Sequence, residues 1–90
     1  MQQVTLFILP YCIYCRHALK LIESVRSEQD CLKAVPIRIV DEKKDRELAM
    51  QHDYFYVPTF YIGDRKVHEG PVNKGQVLSI LREALEEPNV

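Results

Sequence analysis

The stretch Val4-Thr5-Leu6-Phe7-Ile8-Leu9-Pro10-Tyr11-Cys12-Ile13-Tyr14-Cys15 decides how the chain reads. Val4 to Leu9 is a short apolar run with β-branched residues and Phe7, the composition of a buried strand. From Ile13 onward the period changes. Cys15, Ala18, Leu19, Ile22 and Val25 recur at helical spacing, with Arg16, Lys20, Glu23 and Arg26 on the opposite side. This pattern predicts a helix from about Ile13 to Glu28. Cys12 then stands at the helix N-terminus, where unpaired backbone N–H groups and the positive end of the macrodipole favour an anion. A thiolate is the reactive form of cysteine, so the position is expected to lower the Cys12 pKa and activate it. Cys15 falls one turn on, on the same face, and can close a disulfide with Cys12. The pair reads as a redox dithiol.

Ninety residues with a 47% hydrophobic share make one small domain, residues 1–90, with a single core. A formal net charge of −1 offers no field for nucleic acid or anionic lipid. No window approaches the roughly 20 apolar residues that span a bilayer. Met1-Gln2-Gln3 lacks the basic start of a secretory signal, so a cytoplasmic location is expected. Three cysteines suit a reducing compartment better than a secreted disulfide scaffold. A structural zinc would want four ligands. Cys31, His17, His52 and His68 show no paired spacing, so no metal site is expected.

Downstream, Val35 to Val40 reads as a second buried strand interrupted by Arg38. Asp41 to Lys44 reads as a charged turn, and Asp45 to His52 as a weak helix with Leu48 and Ala49 inward. Thr59 to Ile62, the Gly63-Asp64 turn and Arg65 to Glu69 read as a hairpin that Gly70-Pro71 ends. Asn73 with Gln76 has the form of a helix capping pair. Val77, Ile80, Leu81, Ala84 and Leu85 follow as the apolar stripe of a last helix. The order is βαβαββα. Two strands joined through a helix pair in parallel, and a hairpin is antiparallel. A four-stranded mixed α/β sheet with helices on both faces is expected.

With Pro10-Tyr11-Cys12-Ile13-Tyr14-Cys15 and, far downstream, Val57-Pro58-Thr59 ahead of a hairpin, the chain resembles the thioredoxin superfamily, and among its branches glutaredoxins. Tyr14 and the short N-terminus resemble glutaredoxins. Glu69-Gly70-Pro71-Val72-Asn73-Lys74-Gly75-Gln76-Val77 is more similar to the matching piece of thioredoxins. Ile13 stands where glutaredoxins usually carry Pro, and Pro71 follows Gly70 where they carry a second Gly.

The resemblance implies the thioredoxin-like fold and a thiol-disulfide oxidoreductase. Cys12 would attack a substrate disulfide and Cys15 would resolve the mixed disulfide. It also implies a cis Val57-Pro58 bond beside the thiols, although residues alone would predict trans. The Val57 backbone would pair with an extended substrate. Tyr11, Ile13, Tyr14, Val57, Pro58, Thr59 and Gly70 are the candidate substrate-binding residues. Arg16 is the candidate for tuning the thiolate, and a solvated helix position is the plainer role for it. His17 is expected to be merely exposed, and Cys31 to pack as a small apolar residue.

No bound cofactor is expected, and glutathione is a candidate co-substrate. Expected partners are disulfide-containing proteins, together with glutathione or a thioredoxin-reductase-type donor. The lone Gly70 favours the protein donor. The chain is expected to act as a monomer. Two other functions fit the resemblance: a glutathione-dependent iron–sulfur cluster carrier, and a thioredoxin-like interaction module without turnover.

Overall fold

Val4, Leu6 and Phe7 are fully buried, and the strand they build, β1 (Val4–Ile8), lies inside a four-stranded sheet. The computed structural model describes residues 1–88. On one side β1 pairs in parallel with β2 (Ile37–Asp41). On the other it pairs antiparallel with β3 (Thr59–Ile62), which pairs antiparallel with β4 (Arg65–Glu69). Leu6 thus stands between Ile39 and Phe60.

Alternation along the strands sends side chains to two separate cores. Val4, Leu6, Phe60 and Ile62 face α1 (Ile13–Glu28) and α3 (Lys74–Glu86). Phe7, Val40 and Tyr61 face α2 (Arg46–Met50) through Ala49. Helices therefore cover both faces, which is why the inner strands are mostly apolar, with only Thr5 and Thr59 departing from the pattern. Each fully buried large side chain contributes about 1.5–3 kcal/mol. The second core is built around aromatic rings, with Phe7 stacked on Tyr54 at 5.0 Å and tilted against His52 at 4.6 Å.

The first helix has the predicted bounds, and α3 opens with the predicted capping box. The Asn73 side chain accepts the Gln76 N–H at 2.8 Å, and the Gln76 side chain accepts the Asn73 N–H at 2.9 Å. A Lys74–Glu28 ion pair at 2.6 Å ties the start of α3 to the end of α1.

Three expectations need correction. The second strand is not a buried one over Val35 to Val40: it starts at Ile37 and forms a sheet edge, with Arg38 and Ile39 exposed. Pro36 cannot donate to a ladder, and Val35 instead closes a 3-10 turn, Asp30–Ala34, that the sequence pattern does not reveal. Cys31 lies on that turn and is exposed, not packed. The weak helix is shorter than Asp45 to His52. It ends in i to i+3 bonds from Gln51 and His52, and the His52 ring shares a hydrogen bond with the Leu48 carbonyl at 2.8 Å. Among the described residues, no helix is long and apolar enough to cross a membrane.

Candidate active site

Two segments meet at the end of β1. The first is the Pro10-Tyr11 turn into α1. Cys12 has extended backbone angles, φ −86° and ψ 118°, and is the N-cap of α1. Its sulfur accepts the Cys15 N–H at 3.4 Å, the place a Ser or Asp oxygen takes in an ordinary cap. Cys12 is half-buried, while Cys15 is 1% exposed, and both are free thiols.

The two thiols differ because their surroundings differ. Partial burial raises the Cys12 pKa, but hydrogen bonds from Cys15 and from the Tyr14 backbone outweigh it, so the thiol lies below an ordinary cysteine. Burial pushes Cys15 up to about 12, against a hydrogen bond from the Leu9 backbone, with Cys12 and the Glu42 charge adding to the rise. The outer thiol is therefore the better nucleophile, and the inner one holds its proton.

The second segment is the loop that precedes β3. The Val57-Pro58 bond is cis, as the resemblance implies. The Val57 carbonyl lies 4.0 Å from the Cys12 sulfur. Tyr11, Ile13 and Tyr14 are all exposed around the thiol. The structure thus brings Cys12, Cys15, Tyr11, Ile13, Tyr14 and Val57 to one end of the sheet.

Other candidate residues take different places. Thr59 is fully buried, and its hydroxyl donates to the Tyr56 carbonyl, so it braces the loop and cannot line a binding surface. Pro58 is buried behind Val57. Gly70 is also buried, with φ +94°, and its N–H donates to the Pro58 carbonyl at 2.8 Å. Its place is a left-handed turn that buttresses the loop, not contact with a substrate. Arg16 is exposed beside Ile13, His17 and Lys20, and the low Cys12 pKa comes from hydrogen bonds, not from its charge.

The sequence reading passed over several residues here. Lys43, within the stretch read as a charged turn, lines a 270 Å³ concavity with Leu9, Pro10, Tyr11 and Cys12. Glu42 donates its N–H to the Ile8 carbonyl at 3.0 Å, which holds the end of β2 beside the motif. Burial, then the Glu42 charge, push Tyr54 up to about 12, and its hydroxyl is buried with no hydrogen-bond partner among the described residues. Phe55 and Tyr56 are exposed directly ahead of Val57, and Glu69 holds their backbone N–H groups. The aromatic run Tyr54-Phe55-Tyr56 directly ahead of Val57-Pro58 was the available signal.

No protein-family model matches the chain, and no curated protein matches it. Solved structures do. An uncharacterized thioredoxin-like protein from Clostridium perfringens superposes with a TM-score of 0.71 at 25% identity, over 97% of this chain and 74% of that one. The first two thioredoxin domains of Saccharomyces cerevisiae Eps1p give a TM-score of 0.60 at 20% identity, over 98% of this chain. This chain spans 37% of that one. By its fold, this chain is a thioredoxin-like protein. A close cysteine pair stands at the start of its first helix.

Proposed function

We propose that the protein is a thiol-disulfide oxidoreductase that reduces protein disulfides or mixed disulfides with glutathione. The observation that carries this reading is the inequality of two adjacent thiols, one exposed enough to attack and lowered in pKa, the other buried and raised. The Cys12 thiolate attacks one sulfur of the partner's S–S bond. That bond breaks, the departing sulfur leaves as a thiolate and takes a proton from water, and Cys12 is left in a mixed disulfide. Cys15 gives its proton to solvent and attacks the Cys12 sulfur. The mixed disulfide breaks, the partner leaves with its second thiol, and a Cys12–Cys15 disulfide remains. The pair has lost two electrons and the partner has gained them.

Return to the dithiol needs an outside donor, either glutathione or a flavin-dependent reductase. Gly70 serves a turn and Pro71 follows it, which favours a protein donor over a dedicated glutathione cradle. The Val57 carbonyl beside the thiol supports an extended segment as the substrate's form. The setting this chemistry suits is a reducing one such as the cytosol, with the protein acting as a monomer.

The test is reduction of a glutathionylated peptide and of insulin disulfides, with either glutathione and its reductase or thioredoxin reductase supplying electrons. Turnover that Cys12→Ser abolishes supports the reading, and the donor that sustains it settles the branch. Turnover with neither donor overturns it.

A further inference from the structure

The turn ahead of Val57 is fastened at several points. The Glu69 Oε2 atom accepts the backbone N–H of Phe55 at 2.6 Å and of Tyr56 at 2.9 Å. Its other oxygen, Oε1, takes the Lys66 ammonium at 2.8 Å. At the start of the turn, the buried Tyr61 hydroxyl donates to the Asp53 carbonyl at 3.0 Å and accepts the Asp53 N–H at 3.1 Å. At its end lie the Thr59 and Gly70 contacts already described. The backbone N–H groups of Asp53, Phe55 and Tyr56 are thereby satisfied within the protein.

What remains outward is a pair of rings. Phe55 is 87% exposed and Tyr56 is 71% exposed. Large aromatic side chains held this far into water on a fixed backbone are the anchors that interfaces use. They lose little conformational freedom on binding because the turn is already ordered.

Position identifies the occupant. Tyr56 directly precedes Val57, whose carbonyl is 4.0 Å from the Cys12 sulfur. A molecule joined to Cys12 as a mixed disulfide lies beside the Val57 carbonyl. Tyr56 and Phe55 stand one and two residues ahead of that carbonyl, on the segment along which residues flanking the partner's cystine would run.

We propose that Glu69 is a positioning residue that presents Phe55 and Tyr56 as specificity residues, selecting polypeptide disulfides whose neighbouring side chains are apolar. The inference rests on the dithiol reading above and names the substrate class of that same site. The Lys66 ammonium and the two backbone N–H groups hold the Glu69 carboxyl at about 2, so the clasp is set throughout the physiological pH range.

The experiment is single-turnover oxidation of the pre-reduced protein by two peptide disulfides. One has Leu and Phe beside the cystine, and the other has Gly at those positions. Hydroxyethyl disulfide with the wild type serves as the control for the dithiol reading. The wild type is expected to prefer the apolar-flanked peptide, through a lower half-saturating concentration and not a faster limiting rate. Replacing both rings (Phe55→Ser with Tyr56→Ser) should cut that preference about tenfold, the loss that one interface anchor typically brings. Glu69→Ala should cut it too. Glu69→Gln, which keeps an acceptor oxygen, should retain more of it. Lost stability alone does not move this ratio.

A wild type that oxidises readily but shows no preference overturns the inference and leaves the dithiol reading standing. A wild-type ratio in the double-ring variant or in Glu69→Ala overturns it equally. A wild type that none of the three disulfides oxidises overturns both.

Discussion

The backbone N–H of Cys15 reaches the sulfur of Cys12 at 3.4 Å, so the buried cysteine's own amide steadies the charge on the exposed one. One turn of helix supplies the cap, the activation and the second thiol together. Hydrogen bonds to the outer sulfur and burial of the inner one make the two chemically unequal.

That inequality is measurable by alkylation. Only the thiolate reacts, so the rate of iodoacetamide modification against pH reports each thiol's pKa. Cys12 is expected to react first, with a midpoint below that of an ordinary cysteine. Cys15 should stay protected until strongly alkaline pH. Arg16→Ala should leave the Cys12 midpoint in place, since hydrogen bonds and not that guanidinium lower it.

Alkaline stability follows from the groups shifted the other way. Cys15 and Tyr54 are both pushed up to about 12 in the folded protein, in each case first by burial. Unfolded, they ionise nearer 9.0 and 10.0. Below these values both states carry the protons and these groups add no pH dependence. As pH rises towards 12 the unfolded chain binds fewer protons, so stability falls, by at most about 1.4 kcal/mol per pH unit for each group. Cys12, lowered in the folded state, acts oppositely: its contribution is present above 9.0 and is lost as pH falls through its folded value. Urea midpoints of the reduced protein at pH 8, 10 and 11 should therefore fall steeply at the alkaline end. A midpoint that is flat across this range would contradict the burial of Cys15 and Tyr54.

Gly70 tests the buttress behind the loop. A Cβ there would meet no atom within 4 Å, so crowding is not at issue. The φ of +94° is the cost: Gly70→Ala should destabilise by about 1–3 kcal/mol through backbone strain. Thermal or urea unfolding checks the value. A neutral outcome would mean that the turn relaxes freely.

Much of this was legible in the chain because local patterns carried it. The change from an apolar run to helical spacing at Ile13 located the first strand, the first helix and Cys12 at its cap. The Asn73–Gln76 pair located α3. The edge position of β2 was not legible, because Val35, Ile37 and Ile39 look alike whether one or two strands flank them. The 3-10 turn around Cys31 escaped because it has no apolar period of its own. At the site, Thr59 and Gly70 were candidates for a binding surface, yet both are buried. The Thr59 hydroxyl turns to the Tyr56 carbonyl and the Gly70 N–H to the Pro58 carbonyl, bonds that only the folded loop makes. Glu69 was invisible for the same reason, since its partners Phe55 and Tyr56 are 14 and 13 residues away in sequence.

The central claim is that Cys12 attacks and Cys15 resolves. The most direct measurement is intact mass and peptide mapping after mixing pre-reduced protein with a peptide disulfide, for the wild type and for Cys15→Ser. The expected result is a stable mixed disulfide on Cys12 in the variant, and in the wild type a free peptide thiol with a Cys12–Cys15 disulfide. An adduct confined to the exposed Cys31, or no adduct at all, would contradict the account.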